Sequence, residues 1–247
     1  MAYQNTFKRY ELKYLISPEQ KDCIIQQMQS YMALDQYGRT VIRNLYFDTA
    51  NFRLIRHSIE KPVYKEKLRL RSYGEAKQDG PVFVELKKKY DHIVYKRRLV
   101  LPQNDALRWL AGDASLAPAC QIGAEIEYFR QYYRCLQPTV FLSYAREAWY
   151  SLDGSDFRVT FDDEILCRRE MLSLTQAPWG ESILPEGKIM MEIKTSGGIP
   201  LWMTHLLTAQ HIFKTSFSKY GTAYEQLIFP EEIHNKEGAF THDKPSV

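Results

Sequence analysis

Lys67-Leu68-Arg69-Leu70-Arg71 is the stretch whose reading decides the fold. Cation and leucine alternate with period 2. That is the period of a β-strand, whose successive side chains point to opposite faces. On a strand the three cations share one face at roughly 6.5–7 Å spacing. Like charges held that close repel, and a surface strand normally intersperses signs. The leucines on the opposite face need an apolar cover.

The same design recurs along the chain. Glu11-Leu12-Lys13-Tyr14, Phe83-Val84-Glu85-Leu86-Lys87, Tyr95-Lys96-Arg97-Arg98-Leu99, Phe141-Leu142-Ser143-Tyr144-Ala145-Arg146, Arg158-Val159-Thr160-Phe161-Asp162 and Met191-Glu192-Ile193-Lys194 all alternate. Glu11 shares a face with Lys13. Glu85 shares one with Lys87 and Lys89, and Lys96 with Arg98. Arg158 falls with Asp162, and Glu192 with Lys194. So many water-facing ionic faces would require a very large open sheet. A sheet closed into a barrel places them around a wet interior instead. The apolar faces then point outward, where amphipathic helices cover them.

Helical patterns interrupt the strands. Ser17-Pro18-Glu19-Gln20 reads as N-cap, first-turn proline and capping-box glutamine. Ile24, Met28 and Tyr31 follow as an apolar stripe. Further helices are expected over 104–111, over 123–137 with Ile122, Ile126, Phe129 and Tyr133 on one side, from Pro200 with Leu206, Leu207 and Ile212, and over 219–228. Runs of strands with inserted helices argue for α+β with a mostly antiparallel sheet. No linker or fixed-period repeat divides the chain, so residues 1–230 read as one domain and 231–247 as a polar tail.

The chain has 247 residues and a net charge of only +3, from 33 basic and 30 acidic side chains. That average hides a concentration. Residues 61–98 hold twelve Lys or Arg against five Asp or Glu, a net +7, which leaves −4 for the rest. Buried cations need a counter-charge. Arginine pairs bidentately with phosphate oxygens and lysine acts as a point charge, so a phosphate chain or a nucleoside triphosphate fits. Nucleic acid fits poorly, because these strands place Leu or Val, not aromatics, between the cations. The interleaved Glu11, Glu85, Asp162 and Glu192 are candidate ligands for Mg²⁺ or Mn²⁺, hard cations commonly shared with substrate phosphates.

The four cysteines form no C-x-x-C pair and no zinc spacing, as in a reducing compartment. The first residues lack a signal-peptide core, and no stretch reaches the ~18 apolar residues of a membrane span. A cytoplasmic protein is expected.

In order along the chain, Arg9-Tyr10-Glu11-Leu12-Lys13-Tyr14, Leu45-Tyr46-Phe47-Asp48-Thr49, Lys67 to Gly74, Val84-Glu85-Leu86-Lys87-Lys88-Lys89, Ser143-Tyr144-Ala145-Arg146, Arg158 to Asp162, Met191-Glu192-Ile193-Lys194 and Ser218-Lys219-Tyr220 resemble motifs of the CYTH, or triphosphate tunnel, superfamily. The closest resemblance is to its VTC-type polyphosphate polymerase branch. It implies an eight-stranded antiparallel β-barrel, a triphosphate tunnel, with helices packed outside. By that resemblance Lys13, Arg69, Arg71, Lys87, Arg146, Arg158 and Lys219 grip the phosphates. Lys67, Lys89, Lys96, Arg98 and Lys194 extend the channel, and Ser218 bonds a phosphate oxygen. Glu192 is the implied ligand for Mn²⁺ or Mg²⁺, with Glu11, Glu85 and Asp162 as further acidic candidates.

The implied activity is transfer of the γ-phosphate of ATP to a growing inorganic polyphosphate. An inorganic triphosphatase, with Glu11 or Glu85 orienting water, and a non-catalytic polyphosphate-binding module are the rivals. Hydrolase members carry E-x-E-x-K on the first strand, where this chain has Arg9-x-Glu11-x-Lys13. A cation in place of one carboxylate favours the polymerase branch. The phosphate-sensing domain and membrane segment of the fungal polymerases have no counterpart in this sequence.

Overall fold

The computed structural model describes residues 6–233. Most of the expected tail, with His234 and His242, lies outside the described residues.

The first strand, β1 (Thr6–Ile16), leads through the Ser17 cap into α1 (Pro18–Met28), where the Ser17 and Gln20 side chains close a reciprocal capping box. β2 (Met32–Leu34) and β3 (Thr40–Asp48) follow, then α2 (Arg53–Ile59). A meander of β4 (Tyr64–Tyr73), β5 (Pro81–Tyr90) and β6 (Ile93–Pro102) comes next. After it lie α3 (Gln103–Ala111), α4 (Gln121–Tyr133), β7 (Gln137–Ser151) and β8 (Arg158–Arg168). Then come β9 (Glu181–Ser182), β10 (Ile189–Thr195), α5 (Leu201–Ala209), β11 (Lys214–Thr215) and α6 (Lys219–Ala223).

Strand pairing runs β7-β3-β4-β5-β6-β1-β10-β8, and β8 pairs back onto β7. Every one of these pairings is antiparallel. The expected closed eight-stranded barrel is therefore present, with β2, β9 and β11 as short attachments to its rim.

Parity sorts the side chains as the sequence indicates. Leu68 and Leu70 of β4 and Val82, Val84 and Leu86 of β5 point outward under Ala106, Trp109 and Leu110 of α3 and Ile126 and Phe129 of α4. On the other side Tyr14, Ile16, Phe161, Met191 and Ile193 pack under Ile24 and Met28 of α1 and Met203, Leu206 and Leu207 of α5. Covering these faces removes apolar surface from water at about 25 cal/mol per Å² and leaves the opposite faces to the interior.

A third cluster differs. Ile42, Tyr46, Val140, Leu142 and Met190 face inward and meet Tyr220 and Ala223 of α6, together with Phe52 and Ile55 beside and within α2. Part of the interior is thus filled by side chains, and α6 forms its cover.

Some helix expectations need correction. Tyr31 lies beyond α1 and stacks on Trp202 at 4.5 Å, outside any helix. α4 stops at Tyr133, because Gln137 already pairs with Asp48 in the sheet. The final expected helix begins as α6 and continues over Tyr224–Ile228 as a π-helical turn. α2 carries no sequence signal of its own kind: its N-cap is Phe52, in the left-handed region with φ 56, and no side chain of the cap residue serves it. Instead Asp48, at the end of β3, accepts from the amides of Leu54 and Ile55 at 2.9 and 3.0 Å.

Candidate functional site

The interior is organised around carboxylates placed between cations of neighbouring strands. Arg69 of β4 lies opposite Glu85 of β5, and Glu85 lies opposite Arg98 of β6. The register alone stacks cation, anion, cation across three strands. Glu85 is fully buried and accepts from Arg69 (2.7 and 2.8 Å), Arg98 (2.6 and 2.8 Å) and Lys96 (2.7 Å). Burial alone would raise its carboxyl, but Lys96, Arg71, Arg69 and Arg98 outweigh burial and hold it well below the usual range. Arg71 stands 3.8 Å from Glu85 and donates to Asn44 Oδ1 and Tyr144 Oη, each at 2.9 Å. Arg69 also donates to Tyr46 Oη at 3.0 Å.

A second centre forms where β7, β8 and α6 meet. Arg146 binds Asp162 through two nitrogens at 2.5 and 2.6 Å, and Lys219 reaches the same carboxylate at 2.6 Å. Beside it Glu192 sits opposite Lys13 on the adjoining strand. Its oxygens lie 3.0 Å from Lys194, 3.7 Å from Arg146 and 3.8 Å from both Lys13 and Lys219. Lys194 also donates to Thr160 Oγ1, and Lys13 to the Phe217 carbonyl at 2.8 Å. Burial is the main force lowering both lysines, to about 8 in each case, against the pull of Glu192. Glu11 pairs with Lys87. Burial would raise its carboxyl, yet Lys87 draws it down to about 2.

Lys67 is different. It donates to Ser218 Oγ at 3.1 Å and lies over the Tyr220 ring. No carboxylate comes within ion-pair distance of it among the described residues. Burial, then Lys13, Lys87, Lys65 and Arg69, push its amine well below 10.5. Ser218 also accepts the Gly221 amide as the N-cap of α6. Lys89 is lowered by partial burial and by Lys87. Arg158 is exposed at the rim, and its charge acts on Arg9.

The structure therefore gathers fifteen of the expected site residues into two salt-bridge centres, one carboxylate–lysine pair and a lysine-rich stretch between them, with Lys89 and Arg158 at the margins. The acidic candidates are spread over the interior and do not cluster. No group of three or more His, Cys, Asp or Glu able to hold a metal occurs among the described residues. Glu85 and Asp162 spend their oxygens on arginine and lysine, and Glu11 on Lys87. Glu192 is surrounded by four cations. Mg²⁺ and Mn²⁺ are commonly held by one or two carboxylates together with substrate phosphates, so Glu192 would be the residue to hold such an ion beside a bound phosphate, while the other three carboxylates pair with interior cations.

Sequence reasoning missed Tyr46, Asn44 and Tyr144, which orient Arg69 and Arg71, and Lys65, whose amine donates to the Ser58 carbonyl at 3.0 Å. Parity on β3 and β7 was the available signal, since Asn44, Tyr46 and Tyr144 all fall on inward positions. Asp48 turns out to anchor elements. It accepts from Thr49, Leu54 and Ile55 amides and from the Tyr220 hydroxyl at 3.0 Å, so it ties α2 to α6.

A closed eight-stranded antiparallel barrel with this cationic interior and helices outside defines a triphosphate-tunnel protein. Residues 8–228 match the model of the VTC domain, and the chain belongs to that family. Among solved structures it is similar to a putative adenylate cyclase from Bacillus halodurans, at 16% identity and a TM-score of 0.54 over 87% of this chain and 96% of that one. It is also similar to a putative adenylyl cyclase from Hippeastrum described as having a dominant triphosphatase activity. That match has 14% identity and a TM-score of 0.52 over 86% of this chain and 93% of that one. At such identities both show the fold alone. No curated protein matches the sequence.

Proposed function

We propose that the chain extends inorganic polyphosphate, moving the γ-phosphoryl group of ATP to the terminal phosphate of a growing chain. One observation carries this reading. The four interior carboxylate candidates all have cations beside them, while the half-buried Lys67 has no carboxylate within ion-pair distance among the described residues. A bound phosphate anion would supply that counter-charge, and none of the four carboxylate candidates is left without a cation to orient a water. A terminal phosphate is already anionic and needs no general base, whereas hydrolysis needs water to be positioned.

In the proposed step a terminal oxygen of the acceptor bonds to the γ-phosphorus. The bond from that phosphorus to the β,γ-bridging oxygen breaks, and ADP leaves with the electron pair. Catalysis is then positioning and charge stabilisation. Arg69 and Arg71, fixed by Glu85, Tyr46, Asn44 and Tyr144, and Arg146 and Lys219, fixed by Asp162, are preorganised for equatorial oxygens. Lys13, Lys67, Lys87 and Ser218 hold the remaining phosphates. Removing one such contact is expected to cost about 10²–10³-fold in rate. Mn²⁺ or Mg²⁺ bound with the phosphates would be held on the protein side by Glu192 and would neutralise phosphate charge.

The test is incubation with ATP and Mn²⁺ or Mg²⁺, with products resolved by size. Long phosphate chains with ADP are the expected result. Free phosphate alone would make the protein a triphosphatase, and absence of turnover with retained polyphosphate binding would make it a binding module.

A further inference from the structure

Outside the barrel, α2, the end of α4 and the outer face of β4 and β5 line an open cleft, a cavity of about 770 Å³. Its lining is unlike the tunnel. Tyr64, Tyr128, Tyr132 and Tyr133 supply aromatic faces, and Arg53 and Arg56 enter from α2. Tyr128 and Tyr132 are both more than half exposed and stack on each other, with ring centroids 6.3 Å apart. The other two rings are fixed: the hydroxyls of Tyr64 and Tyr133 both donate to Glu66, at 2.5 and 3.1 Å. Arg53 lies over Tyr132 and Tyr133, at 5.6 and 5.3 Å from their centroids. Among the described residues neither Arg53 nor Arg56 has a carboxylate within ion-pair distance.

We propose that this cavity is a nucleotide site, taking an aromatic base on the exposed tyrosine faces and a short phosphate on Arg53 and Arg56. A volume of this size matches small-molecule pockets. Aromatic rings stack any base, and a guanidinium pair matches phosphate oxygens. Glu60, Glu66 and Glu125 also line the cavity. Glu66 is engaged by the two tyrosine hydroxyls and Glu125 by Arg97 and Lys88, so the exposed Glu60 is the carboxylate placed to accept from ribose hydroxyls, and two guanidiniums match one short phosphate rather than a long polyanion. The ligand is thus a nucleoside monophosphate or diphosphate, not polyphosphate. The site is separate from the tunnel, whose cations lie on the opposite faces of β4 and β5.

The test is calorimetric titration of the intact protein with AMP, with its tunnel first saturated with tripolyphosphate. One AMP per chain is expected, with affinity falling about tenfold or more in Tyr132→Ala and in Arg56→Ala. Tripolyphosphate binding should be unchanged in both variants, which also reports that they fold. The proposal is overturned if AMP does not bind the saturated protein, if both variants bind it as the parent does, or if inorganic phosphate binds as tightly as AMP. Failure of polyphosphate synthesis would leave this result standing, because the readout does not depend on turnover.

Discussion

Two stretches of the same interior hold lysines and arginines in opposite electrostatic states. Around Glu85, three cations share one buried carboxylate at hydrogen-bonding distance. Around Lys67, a half-buried amine has Lys13, Lys65 and Lys87 as electrostatic neighbours and, among the described residues, donates to a serine hydroxyl. The first arrangement is complete in the empty protein. On the proposed function, the second is completed by a bound phosphate anion. The difference separates residues that keep the tunnel's shape from residues that await a ligand, although the two sets look alike in sequence.

The largest effect should come from breaking the complete side. Glu85→Ala leaves Arg69, Lys96 and Arg98 buried without their shared anion, and breaking a buried pair in this way costs about 3–5 kcal/mol. Urea unfolding of the empty protein should show a loss of that order. Tripolyphosphate should restore part of it, since a ligand that binds only the folded state stabilises it by mass action. An unchanged midpoint would show that the Glu85 hub does not hold the wall.

Lys67→Met probes the incomplete side and should do the reverse. It removes a half-buried cation with no carboxylate in ion-pair distance among the described residues, so the ligand-free protein should unfold at equal or higher urea. Tripolyphosphate affinity should drop about 10–100-fold, the scale of one charged hydrogen bond. Equal losses of stability from Lys67→Met and Glu85→Ala would erase the distinction between the two regions.

The same contrast appears with pH. Lys67 has a folded pKa below its unfolded value of 10.5, so its penalty to the empty fold is fully present below the folded pKa. That penalty is relieved as pH rises through the folded pKa toward 10.5. Between those limits the unfolded chain binds more protons, and its stability relative to the empty fold must change in favour of the fold. Affinity for tripolyphosphate should fall over the same range as the amine loses its charge. Titration calorimetry in buffers of different ionisation enthalpy should show proton uptake on binding there. Lys67→Met should show less.

The smallest effect is expected at the rim. Arg158 is exposed, and ion pairs of such residues are worth about 0–1 kcal/mol, so Arg158→Ala should weaken tripolyphosphate binding no more than about fivefold at moderate salt. A larger loss would place the grip at the mouth and not around Lys67.

Much of this was readable from alternation. Lys67 to Arg71 gave a strand with an ionic face, and six further runs with the same period gave the barrel and the sign of its interior. The pattern failed where the interior is not ionic. Ile42, Asn44 and Tyr46 face inward on β3 without any charge, so that strand carried no signal beyond its resemblance to a family motif. α2 was invisible for a related reason: its seven residues are capped by Asp48 from the preceding strand, a long-range arrangement that no local pattern contains. The acidic candidates show a different limit. Parity placed Glu85 inside, but the convergence of Lys96, Arg69 and Arg98 on it depends on register between three strands. A carboxylate among cations reads equally as metal ligand or counter-ion until that register is known.

The pairing of β8 with β7 has a geometric consequence for any occupant. A wall hydrogen-bonded around its whole circumference has no seam, so a guest enters and departs endwise. A linear triphosphate can be drawn in by its tip, whereas cyclic trimetaphosphate has no tip to present. Discrimination between these two anions would be steric in origin, and it would persist at salt concentrations that screen ordinary charge attraction.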